Sequence, residues 1–394
     1  MRIGCFGLLA AALTMAVPAS AAEKVTIGFV TTLSGPGGVI GKHMKDGADL
    51  ALEMLGGKLG GVPGAILYGD DQFKPDVGRQ VSEEMLKKDH VDFISGFIWS
   101  NVMLAAYAPI IRSGTILVGA NAGPHEMAGA QCAPNFFSTS WQNDQTPEAM
   151  GQYLNSAKDA AGAPIGEVYL MAPDYAAGRD MVAGFKRFYK GPIKAEVFTK
   201  PGQSDYQVEI SQIRAAGPKA VFVFYPGGMG IQFVKQFAQS GLRDRIPLYS
   251  AFTQDETTLP AIGDAALGNY EVSFWSPDLD VPRNKEFVAA FRKKYNYIPS
   301  YYAAQSFDAI DLIDSAVKAV KGNLADKSGM QAAMAKADFA SVRGPFTYNS
   351  NHFPIEDFYL LKIAKDVDGN LIRQIQSKVF SQHKDAYSSE CSMK

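Results

Sequence analysis

The chain has 394 residues, and its 38 Lys and Arg stand against 40 Asp and Glu for a formal net charge of −2. That balance lacks the basic footprint selected by nucleic acid or an anionic lipid surface, so neither is expected as a partner. The length exceeds what a single hydrophobic core usually supports, so two domains are expected.

Met1-Arg2, an apolar run over 8–17 and the small residues Pro18-Ala-Ser-Ala-Ala22 have the layout of a secretory signal peptide. Cleavage is expected after Ala21 or Ala22. The run falls short of the roughly 20 apolar residues that cross a bilayer, and Cys5 precedes it, unlike the cysteine of a lipid-attached export signal. Residues 1–22 are therefore assigned to the signal, and the rest is read as soluble and exported. In an oxidising compartment Cys132 and Cys391 are then the remaining pair, and a disulfide between them is expected. The alternative is two unpaired thiols, one in a loop and one in the tail, because a bridge demands specific geometry.

From Lys24 onward short β-rich runs alternate with segments of helical period. Strands are predicted at 25–30, 65–69, 91–95, 116–119, 166–171, 195–198, 220–225 and 246–250. Helices are predicted at 41–55, 76–88, 100–111, 148–160, 178–189, 206–215 and 230–240. This alternation predicts an α/β fold with parallel sheets covered on both faces by helices. Two polar, turn-rich stretches, 138–144 and 274–280, interrupt it where a sheet would be complete, and they are read as crossings between lobes. Helices at 284–295 and 302–320 return the chain to the first lobe. A third crossing near 348–352 leads to strands at 357–363 and 371–379. The expected architecture is thus two doubly wound parallel-sheet lobes joined by a three-crossing hinge. The first lobe comprises 23–142 plus 277–350, and the second 143–276 plus 351–394. Ligands sit beyond the carboxyl ends of such strands, so two facing sheet edges form a cleft.

Enzyme signatures are missing. The glycines of Ser34-Gly-Pro-Gly-Gly-Val-Ile-Gly41 do not have the spacing of a dinucleotide fingerprint. There is no P-loop, no G-x-S-x-G and no H-E-x-x-H, and His43, His90, His125, His352 and His383 lack metal-ligand spacing. No catalytic activity, metal or cofactor is expected. Asp70-Asp71 suits a hard cation, or more simply a turn into the helix that Asp76 opens. Gly96-Phe-Ile-Trp-Ser-Asn101 closes one strand and opens a helix, so free backbone N–H groups and the Ser100 hydroxyl form a ready carboxylate site beside Trp99 and Asn101. Ser100 also suits a plain helix cap, and Trp99 suits either a ligand ring or the core. Gly119-Ala-Asn-Ala-Gly123 lets a ligand approach the backbone at Asn121 and Ala122.

Ser34-Gly-Pro, Tyr68-Gly-Asp-Asp71, Gly96 with Ser100, Asp174-Tyr-Ala-Ala-Gly178, residues 222–230 and Tyr301-Tyr-Ala-Ala304 fall in order along the chain. Together they resemble the branched-chain amino-acid binding proteins of ABC importers, over nearly the whole mature length. The resemblance implies a type I periplasmic-binding fold, a periplasmic location, capture by hinge closure, a monomer, and a permease in the inner membrane as partner. It places Ser100 at the ligand carboxylate and Tyr225 and Tyr302 at aromatic pocket positions. Ala122 stands where amino-acid binders keep a hydroxyl near the ligand ammonium, and Phe252 about where they keep its acidic partner. A buried ammonium without a carboxylate is penalised by several kcal/mol, so an α-amino acid fits poorly. Tyr175-Ala-Ala-Gly-Arg-Asp180 and Cys132-Ala-Pro-Asn-Phe-Phe137 look like the branch that takes up aromatic acids. The expected ligand is a benzoate or hydroxycinnamate stacked by Trp99, Tyr225, Phe252 or Tyr302, with Tyr175 alongside. A one-residue shift would bring Thr253 to that position and let Gln254, Asp255 or Glu256 reach the cleft, and a branched-chain amino acid, short amide or urea would return. An extracellular sensor partnering a membrane receptor is the reading from another class.

Overall fold

The computed structural model describes residues 22–159 and 162–393. Residues 1–21, which carry Cys5 and almost all of the expected signal peptide, lie outside the described residues.

The first sheet takes its strands from β1 (Val25–Thr31), β2 (Lys58–Leu59), β3 (Val62–Asp70), β4 (Phe93–Gly96), β5 (Ile116–Gly119) and β6 (Phe136–Ser138). Between them run α1 (Gly38–Met54), α2 (Pro75–Lys87), α3 (Ser100–Arg112) and the short α4 (His125–Ala128). The order is β2-β3-β1-β4-β5-β6, and every pairing except β2 with β3 is parallel. β1 is a run of apolar and β-branched residues buried on both faces, as a central parallel strand requires. In α2, Pro75 occupies the first turn, where its missing N–H costs nothing, and Asp76 and Lys87 complement the helix dipole.

The second half contributes α5 (Gln145–Leu154), β7 (Val168–Pro173), α6 (Ala176–Phe188), β8 (Ile193–Thr199), α7 (Gln207–Ala216), β9 (Ala220–Phe224), α8 (Gly228–Gln239), β10 (Leu248–Ala251), α9 (Leu259–Ile262) and β11 (Tyr270–Ser273). Then follow α10 (Pro282–Tyr295), α11 (Tyr301–Ala319), α12 (Lys327–Lys336), β12 (Thr347–Tyr348), β13 (Pro354–Lys365) and β14 (Leu371–His383). The second sheet runs β12-β13-β11-β10-β9-β7-β8, with β14 on β13. It departs from the parallel expectation at one side, because β13 pairs antiparallel with β11 and with β14. β13 and β14 form a hairpin, which needs no crossover helix, whereas the chain returns from β11 to β13 through α10, α11 and α12 of the other lobe. Helix 148–160 of the sequence reading begins at Gln145 and stops at Leu154. β6, β11 and α12 were not foreseen, nor were the short β2, β12, α4 and α9.

The chain passes between the sheets three times: after β6, after β11, and between α12 and β13. α10 and α11 pack back onto α1 of the first lobe. Arg343 ties these passages together. Its guanidinium donates to Thr139 O at 2.7 Å and Ser140 O at 2.9 Å in the first passage, and lies 5.4 Å from the Phe274 ring in the second. It also meets Asp308 of α11 at 3.3 Å and Glu356 of β13 at 3.0 Å. The Arg343 side chain is only 6% exposed, so these partners replace its water. Cys132, in the loop after α4, is disulfide-bonded to Cys391 in the tail, with Cα atoms 5.6 Å apart.

Removing one partner of a buried ion pair leaves an uncompensated charge that costs about 3–5 kcal/mol. Arg343→Met is therefore expected to lower the unfolding free energy by about that amount in a urea titration. A loss below about 1 kcal/mol would show that the hinge does not depend on it.

Candidate functional site

Two βα loops face each other across the cleft. Gly96 ends β4 at φ +103°, and a Cβ there would lie 2.1 Å from Val30 O, so only glycine lets the chain turn into Ile98-Trp-Ser100. On the other lobe a Cβ at Gly178 would meet Pro173 O at 1.9 Å, so its absence lets α6 start directly over the end of β7. α3 and α6 consequently pack against each other with their N-termini at the same cavity.

That cavity is narrow, with about 20 Å³ of room, on the scale of a single water molecule. The first lobe lines it with Ile98, Trp99, Ser100, Asn121 and Ala122, and the first passage adds Trp141 and Asn143. The second lobe supplies Tyr175, Ala177, Met181, Phe224, Pro226 and Phe252, and α11 supplies Tyr302. No charged side chain is among these lining residues.

Hydrogen bonding fixes which polar atoms remain available. Gly123 N–H donates to Asn143 Oδ1 at 3.2 Å, which identifies the oxygen of that amide. Asn143 Nδ2 then donates to Ser100 Oγ at 3.1 Å and to Asp180 Oδ2 at 2.8 Å. With its oxygen already accepting, Ser100 is left with an O–H to donate. Asn121 is largely engaged internally: its Nδ2 donates one proton to Ile98 O at 2.7 Å, and its Oδ1 accepts from Gln305 Nε2 at 2.7 Å. The Trp141 indole N–H is buried without a hydrogen-bond partner. The first N–H groups of α3 and of α6 have no intrahelical acceptor. The free groups are thus donors.

Trp99 contributes a face and no donor. Its Nε1 donates to Thr32 Oγ1 at 2.7 Å, its ring stacks on Phe73 at 4.0 Å, and Thr32 in turn bonds Asp71. Asp71 also accepts Phe73 N–H at 2.9 Å, so Asp70-Asp71 acts as the turn into α2. Phe252 sits at φ 54°, an uncommon conformation for a bulky residue, and its ring stacks on Trp141 at 4.4 Å. Burial, reinforced by Asp255, pushes the Tyr302 phenol well above its ordinary pKa and keeps it neutral.

Two expected residues are elsewhere. Tyr225 turns into the second lobe, bonding Thr199 at 3.0 Å and packing on Tyr206 and Phe233, because successive strand residues face opposite sides and Phe224 takes the cavity side. Asn101 lies one residue further round α3 than Ser100 and is not on the wall. Gln254, Asp255 and Glu256 do not reach the cavity either. Gln254 bonds Ser250 and Asn269, Asp255 accepts from Tyr301 and Thr257 N–H, and Arg373 holds Glu256 at 2.7 and 2.9 Å. Trp141, Asn143, Phe224 and Pro226 were missed. The signal for the first two was an aromatic and an amide inside a stretch read only as a crossing.

Residues 24–368 match the model of the periplasmic binding protein family, and the chain belongs to that family. It is 26% identical over 372 residues to a Leu/Ile/Val-binding protein homolog of Brucella melitensis, covering 91% of this chain and 92% of that one. A solute-binding protein of an R. palustris ABC transporter, solved in complex with benzoate, is 30% identical with a TM-score of 0.87, over 94% of this chain and 99% of that one. Another from Rhodopseudomonas palustris BisB5, in complex with 3,4-dihydroxy benzoic acid, is 28% identical with a TM-score of 0.85, over 93% and 99%. The protein is a non-enzymatic, periplasmic substrate-binding component of an ABC importer with the type I fold, and a membrane permease is its implied partner.

Asn143→Asp replaces a donor by an acceptor within reach of Asp180. It is expected to cost about 2 kcal/mol in a urea titration. Unchanged stability would contradict the assigned direction of these hydrogen bonds.

Proposed function

We propose that the cavity captures a small aromatic carboxylate, of the benzoate and hydroxybenzoate class. The observation that carries this is the pairing of unspent donors with aromatic walls, without a lining carboxylate. A carboxylate accepts from the Ser100 hydroxyl and the α3 N-terminus, where the helix dipole favours negative charge. Trp99, Tyr175, Phe224, Phe252 and Tyr302 enclose a ring. The ligands printed for the two R. palustris neighbours support the same class.

The names of the Brucella relatives favour a branched-chain amino acid as second reading. Its ammonium would need a buried acidic partner, and the candidates Asp255, Glu256 and Asp180 are each occupied by donors of the protein itself.

Capture follows from closure of two lobes, 23–142 plus 277–350 and 143–276 plus 351–394, in a monomer. The ligand touches both, binds the closed form better and shifts the population toward it.

Ligand-stripped protein is expected to melt higher with benzoate or 4-hydroxybenzoate and unchanged with leucine or urea, since only a native-state ligand stabilises. Ser100→Ala should weaken benzoate binding by about 1–3 kcal/mol by calorimetry. A rise with leucine alone, or unaltered affinity in the variant, would refute the proposal.

A further inference from the structure

The hydrogen-bond chain that begins at Ser100 does not end in the cavity. Asn143 passes it to Asp180 on α6 of the second lobe at 2.8 Å, and Asp180 Oδ1 lies 2.7 Å from Nδ1 of His125, on α4 of the first lobe. The His125 backbone N–H also donates to Asp180 Oδ2 at 3.2 Å. Asp180 is therefore gripped by a side chain and a backbone amide of the opposite lobe and by the Asn143 amide of the first passage, and it is only 4% exposed. The pair joins the two lobes, and through Asn143 it is wired to the residue assigned to the ligand.

We propose that His125 and Asp180 form a proton-dependent latch across the cleft, which positions Ser100 through Asn143 and makes ligand affinity depend on the charge of the imidazole. The inference rests on Ser100 being a ligand contact.

The groups around His125 are mostly acidic. Glu126 lies 3.6 Å from Nδ1, and Asp144 is near enough to act on it. The Tyr387 ring is 5.4 Å away, and Arg187, the nearby cation, is engaged by Asp144 at 2.8 Å and by Glu148. The hydrogen bond that the imidazole donates to Asp180 is the largest influence and outweighs partial burial, so His125 is pushed from 6.5 up to about 9. When the lobes part, the imidazole loses Asp180 and returns toward 6.5. The closed form thus holds the proton more tightly. Its contribution to closure is fully present below the open-state value and is lost as pH rises through about 9. The His125 side chain is 44% exposed, so solvent screens the pair and the expected change in affinity is about three- to fivefold.

Calorimetry of benzoate binding to the disulfide-intact chain at pH 6, 7.5 and 9.5 tests this, since benzoate stays ionised throughout. The wild type is expected to weaken about three- to fivefold across that range. His125→Gln should bind weakly at every pH, and His125→Lys should restore the affinity at pH 7.5. A His125→Gln variant with wild-type affinity and wild-type pH slope overturns the latch. Should benzoate not bind at all, the ligand reading fails by itself, and the latch is decided by the imidazole titration of His125 followed by NMR. A value raised above 6.5 that Asp180→Asn lowers keeps it, and a value that Asp180→Asn leaves unchanged overturns it.

Discussion

An amide has two protons to give and one oxygen to receive, and Asn143 uses all of them. The oxygen takes Gly123 N–H, one proton goes to Ser100 in the first lobe, and the other goes to Asp180 in the second. Because the residue stands in the passage between the sheets, its direction fixes the polarity of the cavity and the relation of the lobes at once. Ser100 is turned into a donor, Asp180 is neutralised by donors other than a ligand, and the space between them asks for an acceptor. A buried carboxylate meets that demand without a lining cation, since charge-assisted hydrogen bonds and two helix N-termini replace its water.

The hinge supplies the rigidity this arrangement needs. Arg343 draws carbonyls of the first passage, the Phe274 ring of the second, and carboxylates on α11 and β13 to one guanidinium. Planar, forked donors suit such a junction in a way that a lysine ammonium does not. Lobes held at one point can swing without losing register. In the proposed latch, the contacts between the lobes, at the cavity and at His125 with Asp180, then decide how much a ligand gains.

Most of the scaffold was legible because period and composition agreed over whole elements, as in β1, α2 and α11. β6 was not, since Phe136–Ser138 is too short to show a period. β11 hid behind Glu271, a fully buried acid that only the folded chain supplies with Ser250, Gln254 N–H and nearby Arg373. In the site, Ser100, Trp99, Asn121, Ala122, Tyr175, Phe252 and Tyr302 reach the cavity wall. Tyr225 and Asn101 miss it by one residue, which in a strand is the opposite face and in a helix about a quarter turn. Trp141 and Asn143 were out of reach for another reason: a crossing has no period, and its side chains acquire direction only from the two lobes it joins.

The central claim is that the cavity demands an acceptor with negative charge. Benzoate and benzamide share a ring and nearly a shape, but the amide replaces one acceptor oxygen with a donor NH₂ and carries no charge. Calorimetry of the two against the ligand-stripped protein therefore tests the claim most directly. Benzoate is expected to bind at least about 100-fold more tightly, the equivalent of about 2.7 kcal/mol for a lost charge-assisted contact and an amide proton facing a donor. Equal affinities, or tighter binding of benzamide, would contradict it.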